Sequence, residues 1–147
     1  MRRQTETHEF LATLLCLAIA GCTNAQSKDK SAIIAEAAMQ VERTVIMPEG
    51  AEKLQDYTRY YAISDQHEME IMIGIFIIPD WDRERERTSV QGLSGAYSVE
   101  SDQKLPRIFD GGCGVVTIYF DLESFRLIGF TGSGTVDTEL ATCNGFA

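Results

Sequence analysis

The stretch CGVVTIYFDLESFRLIGFT, residues 113–131, decides the fold of this chain. Its first eight residues are rich in β-branched and aromatic side chains, DLES is typical of a turn, and RLIGFT again has the composition of a strand. We therefore predict two neighbouring strands joined by a tight turn. The sequence then continues with GSG and VDTELATC, which predict a second turn and a third strand over residues 136–143.

Two further strands are predicted upstream. YTRYYAI, residues 57–63, carries aromatic and branched residues, and MEIMIGIFII, residues 69–78, is apolar on both faces. The second segment is therefore expected to be a central strand whose second face is covered by a helix or a loop. Gly74 within it suits a close backbone approach, and Pro79 ends it. Residues 88–104 are rich in Ser and Gly and predict mostly loop.

One amphipathic helix precedes the strands. SAIIAEAAMQVER, residues 31–43, places apolar side chains at helical spacing, with Ser31 as the N-cap. The apolar positions are Ile33, Ile34, Ala37, Ala38 and Val41. The predicted class is α+β: an antiparallel meander of about five strands, with this helix packed on one face.

The amino end has the organisation of a signal peptide. Residues 10–20, FLATLLCLAIA, are apolar apart from Thr13, and Arg2 and Arg3 precede them. This run is shorter than the ~20 residues that a membrane-spanning helix needs. We therefore read it as the apolar region of a signal peptide, with a buried helix as the alternative.

Ile19-Ala20-Gly21-Cys22, preceded by Leu17, resembles the lipobox of bacterial lipoproteins. The resemblance implies that Cys22 receives a diacylglyceryl group and that the chain is cut before it. A plain secretory peptide is the alternative. Thr23 stands where an inner-membrane retention signal usually shows Asp. Resemblance to the enterobacterial sorting rule therefore implies the outer membrane, facing the periplasm. The expected organisation is a signal peptide (1–21), a lipidated cysteine with a polar tether (22–30) and one domain (31–147).

Processing of this kind leaves two of the four cysteines in the domain. Cys16 departs with the signal peptide and Cys22 carries lipid, so Cys113 and Cys143 remain. In an oxidising compartment we expect a disulfide between them. A reactive thiol pair is the alternative, although the spacing is not CxxC.

LPRIFDGGCGVVTIYFD, from residue 105, and the terminal CNGFA are similar to small, poorly characterised proteobacterial envelope proteins with DGGC and CNG segments. The resemblance covers residues 105–147. It implies the disulfide and the sheet, and it supplies no activity.

The charge and the motif content exclude several classes of function. The net charge of −9 predicts that phosphate backbones and anionic membrane surfaces are repelled, so nucleic acid is not an expected partner. The sequence contains no G-x-S-x-G, H-E-x-x-H or P-loop pattern. His67 is expected to be a surface residue. A calcium site at Asp80, Asp82 and Glu84 lacks the glycine and distal glutamate of an EF-hand. We predict no catalytic residue, metal or cofactor.

Two features are candidates for binding. WDRERER, residues 81–87, alternates acid and base, which suits either an interaction arm or a solvated hairpin end whose charges satisfy each other. Tyr57, Tyr60, Tyr61 and Trp81 form either a recognition surface or part of the core.

The resulting hypothesis is a lipid-anchored envelope protein that acts by binding, for example an envelope protein, a glycan or a hydrolase that it inhibits. Its partners would be the membrane, through the lipid on Cys22, and an envelope protein. The alternatives are a small periplasmic hydrolase that uses acidic residues, and a purely structural role at the membrane surface.

Overall fold

A computed structural model describes residues 30–64, 70–83, 85–131 and 134–144. Within these ranges the chain forms one α-helix, α1, over residues 30–44, and eight β-strands. The strands are β1 Thr58–Ile63, β2 Ile71–Ile77, β3 Thr88–Ser89, β4 Ala96–Ser98, β5 Gly112–Asp121, β6 Arg126–Thr131, β7 Gly134–Asp137 and β8 Thr142–Asn144. Short 3-10 turns cover Leu54–Asp56, Pro79–Trp81 and Asp102–Lys104.

The eight strands form a single sheet in the order β3-β4-β1-β2-β5-β6-β7, with β8 beside β5. Strand β5 is long enough to share its outer edge between two partners. Its carboxyl-terminal part pairs with β6, and its amino-terminal part pairs with β8. All pairs are antiparallel except β1 with β4, which is parallel. The α+β class and the largely antiparallel sheet are confirmed.

The strand count and the last strand differ from the prediction. Residues 88–104, predicted as loop, contain β3 and β4, and the parallel pair of β4 with β1 interrupts the meander. The predicted strand 136–143 is two strands on different partners, because β7 pairs with β6 and β8 pairs with β5. Between them the backbone bonds to the segment after α1: Ile46 donates to Glu139 and accepts from Ala141.

Helix α1 packs on one face of the sheet through its small and branched side chains. Ile34, Ala37, Ala38 and Val41 are buried against the helix-side residues of the central strands. Those strand residues are Tyr61, Met72, Phe76, Val116, Ile118 and Phe120. Ser31, predicted as the N-cap, lies inside the helix, and the residue before the first described turn is outside the described ranges.

The opposite face of the sheet is covered by the chain between β4 and β5. Val99 and Leu105 are buried there, against strand residues that alternate with the helix-side set. These strand residues are Tyr60, Ala62, Ile75, Ile77 and Val115. Strand β2 therefore contributes to both cores, which confirms the prediction of a central strand covered on both faces. The close approach predicted at Gly74 on β2 is made by side chains and not by backbone. A Cβ at this position would lie 2.7 Å from the side chain of Ile118 and 3.1 Å from that of Tyr61.

Cys113 and Cys143 form the predicted disulfide, with Cα atoms 4.5 Å apart. It joins β5 to β8 where the pairing register shifts between Gly112 and Val116. Cys22, the rest of the lipobox and His67 lie outside the described residues. Among the residues described, no helix has both the length and the apolar character to cross a bilayer.

Candidate functional site

A cleft of about 520 Å³ lies where β2 ends and the chain approaches β5. We call it the Trp81 cleft, and its lining residues are Asp80, Trp81, Arg83, Arg85, Arg107 and Ile108. Pro79 starts the short turn that follows β2, and the backbone N–H of Trp81 donates to the carbonyl of Ile78. The turn thus fixes Trp81 directly at the end of a buried strand.

Two glycines of the DGGCG segment form the seat of the Trp81 indole. A Cβ at Gly114 would lie 2.7 Å from Cζ3 of the indole, and one at Gly111 would lie 3.3 Å from the same atom. The first distance leaves no room for a side chain, and at Gly111 the closer obstacle is Val115, whose Cγ2 would lie 2.5 Å from the added Cβ. The indole therefore rests on bare backbone, and Trp81 remains 42% exposed. The absence of side chains at Gly111 and Gly114 thus leaves space for the indole at the rim of the cleft.

Three arginines and a single carboxylate line this cleft. Arg83 and Arg107 are exposed, and Arg85 is partly buried. None of the three forms an ion pair with any residue that the structure describes, and Asp80 is the only acidic lining residue. The Nε atom of Arg85 is buried and has no hydrogen-bond partner within the described ranges. Among the described residues, Arg85 contacts the Tyr60 ring and its charge acts on Asp82, whereas the side chains of Arg83 and Arg107 are exposed.

A polar network beneath the cleft fixes the arm of residues 82–87. Tyr60 donates to Oδ1 of Asp82 over 2.6 Å, and Arg87 donates to Oδ2 over 2.8 Å and also to the Tyr60 hydroxyl. The Arg87 guanidinium lies 3.9 Å from the centre of the Tyr97 ring, and that of Arg85 lies 5.2 Å from the centre of the Tyr60 ring. These cation–π contacts and hydrogen bonds hold the arm on the sheet.

The contacts in this network shift the pKa values of Asp82 and Arg87. Burial alone would raise the pKa of Asp82, but the hydrogen bonds from Tyr60 and Arg87, together with the charges of Arg87 and Arg85, lower it. The hydrogen bond to Asp82 raises the pKa of Arg87 further. Asp82 and Arg87 are therefore both charged at neutral pH and form an ion pair within the arm.

The structure places the four predicted aromatic residues in different environments. Tyr57, Tyr60 and Tyr61 are buried and belong to the core, which is one of the two alternatives that the sequence left open. They lie inside because strands β1 and β2 are covered on both faces. Only Trp81 reaches the surface. The Tyr57 hydroxyl instead donates to the carbonyl of Cys113, beside the disulfide.

The arm WDRERER is neither a strand nor a simple solvated loop. Asp82 bonds to Arg87 within the arm, and Arg85 and Arg87 both lie over Tyr60. Both carboxylate oxygens of Asp82 are occupied in this way, which removes it from the calcium site considered above. Glu84 lies outside the described residues, and the described ones form no cluster suited to a metal ion.

Sequence reasoning identified Trp81 and the alternating arm but missed Arg107 and the glycine seat. Arg107 lies 24 residues from Arg83 in the chain, and only the fold brings both to one cleft. The available signal was the DGGCG segment, whose glycines indicate that a bulky group approaches the backbone. No family model, curated protein or solved structure matches this chain.

Proposed function

We propose that this chain is a lipid-anchored protein of the bacterial envelope that binds an anionic ligand in the Trp81 cleft and does not transform it. One observation carries the proposal: Arg83, Arg85 and Arg107 line one cleft beside an exposed tryptophan, and among the described lining residues Asp80 is the one carboxylate. The ligand class is a phosphate-bearing or carboxylate-bearing molecule.

Electrostatics favours an anion at this position. Three like charges around one cavity repel each other, and a bound anion relieves that repulsion. The planar guanidinium group offers a fork of donors that matches the two oxygens of a carboxylate or phosphate. Water screens charge interactions at the partly buried Arg85 less than at the exposed Arg83 and Arg107. The whole chain carries a net charge of −9, so this positive cleft is a local feature of an acidic protein.

The envelope location rests on the resemblance of Ile19-Ala20-Gly21-Cys22 to a lipobox. Mass spectrometry of the mature amino end tests it independently of the cleft. We expect Cys22 to be the first residue and to carry lipid. A mature chain that begins at another residue, or that has no lipid on Cys22, would refute the anchor.

The alternative, a hydrolase that uses acidic residues, lacks a suitable acid here. A general acid needs a carboxyl group whose pKa is raised, whereas the pKa of Asp82, which lies beside the cleft, is lowered. The Trp81 cleft also holds one carboxylate and not the pair that glycoside hydrolysis uses. Binding is therefore the function that the cleft supports.

Trp81 is the only tryptophan in the chain, so its fluorescence reports on the cleft directly. We expect inorganic phosphate and citrate to change the Trp81 emission in a saturable way. Arg107→Gln is expected to weaken the binding of either anion about tenfold or more, since hydrogen bonds to charged groups contribute about 1.5–3 kcal/mol. Arg126→Gln, at an exposed arginine lining a different cavity, is the matched control. Equal titrations for all three proteins, or no response to either anion, would refute the proposal.

A further inference from the structure

We infer that the anion bound in the Trp81 cleft is the phosphate headgroup of anionic phospholipids in the leaflet that holds the Cys22 lipid. The cleft then docks the domain onto its own membrane. This inference rests on the proposed function, since it names the ligand of the same site.

The side chain of Phe109 lies outside the two described cores. It is 86% exposed, the most exposed of the large apolar side chains described. Leu105 and Pro106 on one side and Gly111 on the other are buried, so the loop is fixed at both ends while Arg107 and Phe109 face outward. A soluble ligand inside the cleft gives no reason for such a residue. Insertion into the boundary between headgroups and acyl chains does.

The rim of the cleft has the composition of a membrane-contacting surface. Trp81 is an amphipathic aromatic residue of the kind that collects at membrane interfaces. Arg83 and Arg107 lie beside it, exposed, and Ile108 joins them to Phe109. Peripheral membrane binding has two components. Basic side chains contact the lipid phosphates, and neighbouring aromatic side chains enter the boundary of the acyl chains.

The start of the described chain is connected to the cleft through the arm. Lys30 and Ser31, at the beginning of α1, line a cavity together with Glu86 and Arg87 of the arm. The other end of that arm, at Arg83 and Arg85, lines the Trp81 cleft. Cys22 precedes Lys30 by eight residues, a span of at most about 28 Å when extended. A lipid on Cys22 therefore holds Lys30, at the start of α1, within about 28 Å of the bilayer.

The net charge of −9 predicts that anionic surfaces repel the chain as a whole. At the Trp81 cleft the arginines reverse that prediction locally. Each basic residue close to an anionic leaflet gains about 1 kcal/mol, which is about fivefold in the docking equilibrium. Repulsion of the acidic remainder then acts as an orienting force, because it favours the one pose in which the arginines face the membrane.

The test uses the mature lipidated protein reconstituted into two kinds of vesicle. One kind is phosphatidylcholine alone, and the other contains about 30% phosphatidylglycerol. Both carry lipid brominated in the acyl chains, which quenches a tryptophan that enters the acyl boundary. Since the lipid anchors the protein in both kinds of vesicle, only docking differs. We expect strong quenching of Trp81 with phosphatidylglycerol and weak quenching without it.

Two variants address the two contacts. Arg107→Gln is expected to lower the docking equilibrium about fivefold, and Phe109→Ser is expected to reduce quenching without changing the response to inorganic phosphate in detergent. Both side chains are exposed, so neither change is expected to unfold the domain. Arg126→Gln is again the control, and its quenching should equal that of the unmodified protein.

The outcomes separate the two proposals. Equal quenching in both kinds of vesicle, or unchanged quenching in both variants, overturns membrane docking. If inorganic phosphate still shifts the Trp81 emission in detergent, a dissolved anion is the ligand and the proposed function stands. If phosphate and vesicles both leave the emission unchanged, both proposals fail.

Discussion

At the scale of single residues, the glycines of the DGGCG segment are important because they have no side chains. Gly111 and Gly114 carry no side chain where the Trp81 indole rests, and Gly112 takes a φ of 51°, which favours glycine. The neighbouring Asp110 has a φ of 60°, a conformation that Asp tolerates better than most residues. The segment thus makes the bend before β5 and the seat of the tryptophan with the same few residues.

Gly114→Ala tests this seat. The added Cβ would lie 2.7 Å from Cζ3 and 2.9 Å from Cη2 of Trp81, and 3.1 Å from the carbonyl oxygen of Gly111. The indole must therefore leave its seat, at a cost of about 1–3 kcal/mol. We expect a red-shifted Trp81 emission and a lower free energy of unfolding in urea, since the ring becomes more exposed to water.

Gly129→Ala is the matched control, because it also lies in a strand and the nearest atoms to its Cβ are ordinary contacts at 3.7 Å. Its Trp81 emission should not change. A Gly114→Ala protein whose emission and stability both equal those of the unmodified protein would show that the glycine seat does not hold the indole.

At the scale of elements, a buried ion pair joins α1 to β1. Nε of Arg59 donates to Oε1 of Glu42 over 2.7 Å, and the two side chains are 4% and 14% exposed. Arg59 also donates to the carbonyls of Leu54, Tyr57 and Ser94. Its guanidinium thereby connects the helix, the turn before β1 and the loop before β4, three parts of the chain that share no strand pairing.

Removing the carboxylate should therefore be costly. Glu42→Ala leaves the Arg59 charge buried, with only carbonyl oxygens as partners, and we expect a loss of about 3 kcal/mol in the free energy of unfolding. Asp137→Ala breaks the Arg126–Asp137 pair, whose side chains are 67% and 64% exposed, and should cost at most about 1 kcal/mol. Urea unfolding of both variants measures the difference. Equal losses would show that burial of the Arg59–Glu42 pair has no energetic consequence.

The elements that sequence predicted well are those whose pattern is local. The hairpin of β5 and β6, the helix and the doubly covered β2 follow from apolar periodicity, and each was placed within a few residues. Strands β3 and β4 were missed because they have two and three residues, too few for a period to show. The division of residues 136–143 into β7 and β8 depends on Ile46 and Cys113, which are far away in the chain. In the same way, the convergence of Arg107 with Arg83 is a product of topology.

At the scale of the whole molecule, buried acids link its stability to pH. Asp82 binds Tyr60 and Arg87 on the face opposite α1, and Asp121 accepts from Ser124 and from the backbone of Glu123 in the β5–β6 turn. The hydrogen bond from Ser124 is the main cause that lowers the pKa of Asp121, whereas at Asp82 the hydrogen bonds outweigh burial. Both carboxylates therefore hold the folded state together in their charged form.

The sign of the pH dependence follows from these lowered pKa values. Above the ordinary aspartate value of 3.8, both groups are charged in the folded and unfolded chain, and their stabilisation is complete. As the pH falls below that value the unfolded chain takes up protons first, so the free energy of unfolding decreases until the folded carboxyl groups are protonated too.

We expect Asp82→Asn to be less stable than the unmodified protein at about pH 6, with a difference that shrinks towards about pH 3. Urea unfolding across this range measures it. Asp80→Asn is the control, since the Asp80 carboxylate is exposed and forms no hydrogen bond with any described residue, and its curve should run parallel to that of the unmodified protein. A parallel curve for Asp82→Asn as well would mean that the network beneath the cleft contributes nothing to the acid stability of the fold.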